Sequence, residues 1–576
     1  MVGKPLVIMD HLTFGHILPI SYKEKEGKMK KRLLFLFFIL LTLIFAQQTH
    51  NLEIIWVKTS PESVFNFGRC IASGDVNGDG FSDIMVVGDS VLDLSNPDSA
   101  YRGVCWVFFG GFNFDTIPDI RLNNLQKLNF WSLHSNDING DGFDDVILGA
   151  YNNADGDGEV LIFLGGNSMD TICDYKIRGP RGQGSVFGCA VTSGDVNGDG
   201  YDDLIVGAYG AFIRPGFYPG RVFIYFGGID FDTIPDVILN GGHENEFEAF
   251  GVSVSATGDV NGDGYNDIII GAPDFGPSLQ GRIYIYYGGN PIDTTYDVAM
   301  TGEGPLHFLG EWGVDFLRNI NTYTYAHAIT GCGFWSYNFS QERPGKVYVL
   351  FGKEEMDSIP DIWMIGRTPT SRLGNWTASA GDMNMNNCDE IISGAPIEYN
   401  RKGSAYIWIG EPLLDTIPDA WIRGVQYDDG IGWNVASAGD VDGDNRVEAI
   451  VSNYASNYSP TRVWVCKYTG QAIEEKGKKT IYLYHFFLEI FPNPTKSQIT
   501  IRFSLAAESR VSLLIYDITG KLIKSINNNN IFKPGNHELQ WDLKDKNQKR
   551  VANGVYFLQM RVNNEIREIR KIEVIK

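Results

Sequence analysis

The chain has 576 residues, 66 of them glycine, with 13% aromatic residues and a formal charge of −22. That length exceeds one ordinary core and implies several domains or a repeat array. The acidity excludes nucleic acid as a partner, because phosphates need Lys and Arg, and the glycine and aromatic content suits a β-rich chain with many tight turns.

Residues 1–28 fit no targeting segment and read as an upstream extension, with Met29 as the working start. Met29-Lys-Lys-Arg32 is a charged head, Leu33 to Phe45 an apolar run, and Ala46 a cleavage point. Residues 29–46 therefore read as a secretory signal peptide, since a membrane span needs about 20 apolar residues. The mature protein is expected outside the cytoplasm with no transmembrane span. Seven cysteines without Cys-x-x-Cys spacing read as small buried apolar residues.

Residues 47–470 are organised by one recurring acidic stretch. It is clearest at Asp259, Asn261, Asp263, Tyr265 and Asp267, with glycines at its fourth and sixth positions. The same pattern stands at Asp75, Asn77, Asp79, Phe81 and Asp83, at Asp137, Asn139, Asp141, Phe143 and Asp145, and at Asp195, Asn197, Asp199, Tyr201 and Asp203. Hard oxygen ligands at positions 1, 3, 5 and 9 and a backbone carbonyl at position 7 suit Ca2+, and glycine permits the bend. An EF-hand would need a bidentate Glu at position 12, where Val86, Leu148, Val206 and Ile270 stand instead. The apolar β-branched runs that follow, such as Ile268-Ile-Ile270, read as buried strands.

The interval between the first loop residues is 62, then 58, then 64 residues, and continuing at that spacing finds three altered copies. The stretch from Asn319 has lost its acids and carries His327 at position 9. Asp382, Asn384, Asn386 and Glu390 keep oxygens without the glycines, a weaker metal set. Asp440, Asp442, Asp444, Arg446 and Glu448 keep four carboxylates and one glycine. About four to six structural Ca2+ ions are expected, with none in the fifth unit.

Each unit reads as four strands: one into the loop, an apolar one ending near Gly271-Ala-Pro273, an aromatic one such as Arg282 to Tyr287, and one after a turn like Asp115-Thr-Ile-Pro-Asp119. Seven such units predict a seven-bladed β-propeller, whose closure protects sheet edges. The seventh unit lacks a fourth strand, and Leu52 to Thr59 is expected to supply it from the N-terminal end. Residues 471–487 read as a charged linker. Residues 488–576 alternate with period two between short turns and predict a small β-sandwich. The fold class is all-β.

Phe67-Gly68, Phe187-Gly188 and Phe250-Gly251 before the loops, and Gly271-Ala-Pro273 and Gly394-Ala-Pro396 after them, resemble FG-GAP repeats, which build the propeller of integrin alpha subunits. The resemblance covers roughly residues 50–470 and implies calcium loops on the face opposite the ligand face. Phe491-Pro-Asn-Pro494, Tyr516-Asp517 with Gly520-Lys521, and Asn553-Gly-Val-Tyr-Phe557 resemble the C-terminal sorting domain of the type IX secretion system. That resemblance implies a Gram-negative source, recognition of residues 488–576 by the secretion machinery, and removal of the tail with release or surface attachment.

No Gly-x-Ser-x-Gly, His-Glu-x-x-His or phosphate loop occurs, and no catalytic residue is assigned. The carboxylates fall mostly in calcium loops. Trp335, Tyr337, Phe217 and Tyr218, in long aromatic connections, are the candidate ligand-face residues. The sequence thus predicts a secreted or cell-surface adhesion protein that binds an extracellular protein or polysaccharide without catalysis. A polysaccharide-degrading enzyme or a surface-layer component is the alternative.

Overall fold

A computed structural model describes residues 48–575 apart from 61–63, 91–101, 113, 127, 153–155, 182–183, 213–217, 243–246, 319–324, 337–341, 411–413, 454–460, 471–487, 492–493, 506–508, 519, 534 and 563–564. The upstream extension, signal peptide and linker, together with Phe217 and Tyr337, lie outside the described residues.

The β-branched run Ile268-Ile-Ile270 is fully buried within strand Asp267–Ala272. It sits second in a four-stranded antiparallel sheet, between Ser253–Gly258 and Arg282–Tyr286, with Val298–Thr301 outermost. A sheet buried on both faces tolerates such continuous apolar strands. The pattern repeats. Seven sheets of this order run from Leu52 to Tyr468, and their first strands neighbour one another in sequence around a closed ring. Phe67, Phe187 and Phe250, each nearly or fully buried, fill the space between neighbouring sheets.

Closure uses both ends of this region. The seventh sheet takes Ile431–Gly439, Glu448–Asn453 and Arg462–Tyr468 from one end, and Leu52–Thr59 from the other. The seventh and first blades then join as any other pair does, with Asn434 donating its amide to the Arg69 carbonyl at 3.1 Å and Ser73 its hydroxyl to the Ser437 carbonyl at 3.0 Å. Closure in this way gives the seventh blade its outer strand from the other end of the region, and leaves each blade only a short outer edge.

Residues 488–574 form two sheets, one of Leu488–Phe491, Ile499–Leu505 and Gly535–Trp541, the other of Leu522–Phe532, Ser509–Asp517, Gly554–Val562 and Glu565–Val574. They share a core that includes Phe503, Leu513, Trp541 and Leu558. Among the described residues no helix is long and apolar enough to cross a membrane.

The latch strand is anchored by Trp56, which is 4% exposed, stacks 5.3 Å from Phe114, and donates its indole N–H to the Asp115 carbonyl. Trp56→Ala is expected to cost about 3–5 kcal/mol in urea unfolding of the whole chain. A loss below about 1 kcal/mol would show that the latch does not hold the ring.

Candidate metal loops and the axial cavity

In the first loop every acceptor is positioned by backbone N–H groups. Asp75 accepts from Gly78 at 2.7 Å and Gly80 at 2.8 Å, and Asp79 accepts from Phe81 at 3.0 Å. Asp83, fully buried, accepts from Val76 at 3.0 Å and from Gly110 in the following turn at 2.9 Å. The Asn77 side chain donates to Asp79 at 3.1 Å. The second, third and fourth loops repeat these contacts through Asp145 with Gly165, Asp203 with Gly227, and Asp267 with Gly288. Glycines at positions 4 and 6 adopt left-handed φ, for example +79° at Gly262 and +93° at Gly264, where a Cβ is strained.

Burial raises the position-9 acids, against two opposing backbone hydrogen bonds and with added repulsion from the loop's other aspartates. Asp83, Asp145 and Asp203 are pushed up to about 7 and Asp267 to about 8. A desolvated carboxyl beside other carboxylates gains its charge easily only next to a cation. The donors are all oxygen, as a hard divalent ion prefers.

The altered copies solve the same geometry differently. In the sixth loop Met385 and Asn387 hold the left-handed positions that glycine holds elsewhere, at φ +64° and +63°. Asp382 still accepts from Asn386 and Asn387, and Glu390 takes the place of the buried aspartate. In the fifth, position 9 is His327, buried and accepting the Gly352 N–H on Nδ1 at 2.9 Å. Burial holds its imidazole down at about 4, so it is neutral. Residues 319–324, the remainder of that loop, lie outside the described residues. In the seventh loop the carboxyl oxygens of Asp440, Asp442 and Asp444 lie within 4.8 Å of one another.

Trp335 departs from expectation. It is 6% exposed, its indole N–H goes to Glu303 at 2.8 Å, and Lys346 sits 4.9 Å from the ring centroid. Lys346 also lies over Tyr348 and Trp363, so the aromatic residue that looked like a ligand contact walls an ion pair between the buried Lys346 and the half-exposed Glu303. Tyr218 is 41% exposed and meets Phe212 edge-on at 5.7 Å.

The ring encloses an axial cavity of about 640 Å³ lined by the first strands. Trp131, Trp312 and Trp376 stack beside it, with centroids 5.6 Å apart for the first pair and 6.4 Å for the second. The Arg69 guanidinium lies 5.0 Å from the Trp131 centroid. These residues come from blades one, two, five and six; Trp312 and Trp376 hold the same Leu-Gly-x-Trp place in consecutive units, but no spacing connects either to Arg69 or Trp131. A further hint is Trp131, standing where a glycine follows Phe in other units. Deeper in the cavity His134 meets the Ser193 hydroxyl at 3.0 Å, and burial lowers its imidazole to about 4. Among the described residues no carboxylate completes that pair as a relay.

Residues 129–163, 187–225 and 250–286, in blades two, three and four, match the FG-GAP repeat family. These are FG-GAP repeats. Residues 489–576 match the secretion system C-terminal sorting domain. The chain is 36% identical to integrin alpha-5 of Xenopus laevis over 132 residues, covering 21% of this chain and 12% of that protein. It is 33% identical to integrin alpha-PS2 of Drosophila melanogaster over 183 residues, 30% of this chain and 12% of that one. Integrin alpha-6 of Gallus gallus is 40% identical over 125 residues, 21% and 11% respectively. The aligned segments thus span about an eighth of those relatives' lengths. An FG-GAP propeller ending in a sorting domain is a secreted or cell-surface protein.

Two outcomes follow. His327, neutral and held at about 4 rather than 6.5, stabilises the fold above pH 6.5 and loses that contribution as pH falls toward 4. His327→Asn keeps an acceptor for Gly352, so acid melts of the variant should lose less stability across that window, by up to about 3 kcal/mol. Equal slopes would remove the assignment. Trp335→Ala should cost about 3–5 kcal/mol by denaturant unfolding, as a buried aromatic does.

Proposed function

We propose that this protein is a calcium-stabilised propeller of the cell exterior that binds an extracellular protein or polysaccharide without catalysing a reaction. The observation that carries the reading is the set of four loops in blades one to four, each with three carboxylates pinned by backbone N–H groups. Asp75, Asn77, Asp79 and Asp83, with the Phe81 carbonyl, would hold one ion, and their counterparts in blades two to four would hold three more. Asp382, Asn384, Asn386 and Glu390 form the weaker set. The ion supplies charge neutralisation and ties each loop; waters complete its six to eight oxygens. Ligand capture belongs to the opposite face, where the connections after the second strands lie and where Tyr218 is exposed. The type IX machinery is the proposed reader of residues 488–576.

Calcium should raise the melting temperature relative to chelator, through a stabilisation of about 2.7 kcal/mol per site at a hundredfold excess over Kd. Asp263→Ala should lower the ion count by one. An unchanged melt in chelator would end the metal reading. For the binding reading, the secreted protein is presented to extracellular proteins and to bacterial and plant polysaccharides while retention and released sugar are followed. Retention without product, reduced by Tyr218→Ala, is expected. Released sugar would make the protein an enzyme.

A further inference from the structure

The seventh loop differs from the first four in a way that changes what it can hold. Position 3 is Asp442 where the others have asparagine. Those asparagines donate to the position-5 aspartate, as Asn261 does to Asp263 at 2.8 Å; Asp442 has no N–H to give. Position 9 is Glu448, fully buried, with one carboxyl oxygen accepting from Val441 at 3.1 Å. Its other oxygen has no hydrogen-bond partner. In blades one to four a glycine N–H just past the third strand caps the equivalent oxygen. In blade seven the third strand runs on, so that Tyr468 pairs with Leu52 of the latch. The turn that would bring such a donor is not formed there.

Lys467 fills the vacated place. Its ammonium lies 2.7 Å from Asp442, 2.5 Å from Asp444 and 4.0 Å from the unpartnered oxygen of Glu448. These are loop positions 3, 5 and 9, the side-chain positions that a metal would share with position 1. Strand register identifies the residue at the same point of every other blade. Each third strand ends opposite the residue after position 9, and the next residue is Phe109, Leu164, Phe226, Tyr287, Phe351 or Ile409. Six blades place an apolar side chain there. Blade seven places a cation, and it alone has carboxylates at all four of loop positions 1, 3, 5 and 9.

We infer that the Lys467 ammonium is the resident cation of the seventh loop, in the position a divalent ion would take, so that the blade closing the ring is held without metal. The extra carboxylate and the lysine balance each other: an aspartate replaces asparagine where an ammonium replaces an apolar side chain. Two positive charges cannot share one set of oxygens, so a divalent ion would have to expel Lys467, which is hydrogen-bonded and largely covered. Lys467 also lies on the strand that pairs with the latch, opposite Glu53. The acids of the loop are thereby tied to the closing strand pair by a cation that is part of the chain.

The test counts Ca2+ bound to the full chain by titration calorimetry after chelator treatment, for the wild type, Asp263→Ala, its seventh-loop counterpart Asp444→Ala, and Lys467→Met. Asp263→Ala losing one ion reports on the calcium reading of the first four blades by itself. Under the inference Asp444→Ala leaves the wild-type count unchanged, while Lys467→Met gains one ion. Lys467→Met should also melt lower than the wild type in chelator and recover that difference in Ca2+. One ion fewer in Asp444→Ala would show that the seventh loop already binds metal, and would overturn the inference. So would a Lys467→Met protein that folds and gains no ion. If Lys467→Met does not fold, Asp444→Ala decides.

Discussion

The ring depends on how each acidic loop sits against the next. The aromatic ring at position 7 of one loop covers the glycine at position 4 of the preceding loop. A Cβ built on Gly78 would lie 2.3 Å from the Phe143 ring, and one on Gly140 2.3 Å from Tyr201. Gly198 and Gly262 stand in the same relation to Tyr265 and Tyr325, and Gly443 to Phe81 across the closure. Beside four of these five contacts the position-8 N–H donates to the position-1 carbonyl of the previous loop, as Asp144 does to Asp75 at 3.1 Å and Ser82 to Asp440 at 2.9 Å. The loops are therefore both candidate ion sites and the seams between blades. Glycine at position 4 is required twice over, by its left-handed backbone and by its neighbour's ring.

This pairing explains where the pattern decays. Arg446 replaces the aromatic residue at position 7 of blade seven, and the preceding position 4 is Met385 rather than glycine. Cys388 replaces it in blade six, and position 4 of blade five is Thr322. Losing the covering ring removes the steric demand, after which a side chain can enter at the cost of a left-handed φ. Such strain is of order 1 kcal/mol. The position-9 residue drifts in the same three blades, from aspartate to His327, Glu390 and Glu448. All seven loops must still satisfy the backbone around position 9. A neutral imidazole does it in blade five by accepting the Gly352 N–H.

The repeat, the four complete loops, the seven units and the shared seventh blade were legible because each is written locally and then written again. Leu52 to Thr59 could be assigned to blade seven on arithmetic alone, and its pairing with Arg462–Tyr468 follows that arithmetic. What stayed hidden depends on contacts between distant units. Trp335 looked like a loop aromatic, but its surroundings are Glu303 from the preceding blade and Lys346 from the next strand. Trp131 of blade two meets Trp312 of blade five only because the chain closes into a ring. The seventh loop, read alone, offers four carboxylates to a metal; Lys467 stands 19 residues beyond Glu448 and enters the loop only through strand register. The FG-GAP match falls on blades two to four; blades five to seven, which it does not reach, have rewritten loops, whereas blade one lies outside it with its loop intact.

A ring of nearly equivalent blades need not be equally dependent on its ions. In a closed propeller every seam is loaded by the same geometry, but one seam also joins two distant parts of the chain, and opening it exposes strand edges as no other local failure does. A diffusible ion stabilises its loop only in proportion to its concentration. An ammonium on the closing strand is present at any calcium level, with its attachment entropy met by the fold. Blades one to four, whose strands are contiguous in sequence, would keep their sheets if an ion left the loop. Blade seven has no such continuity, and there the chain carries its own positive charge.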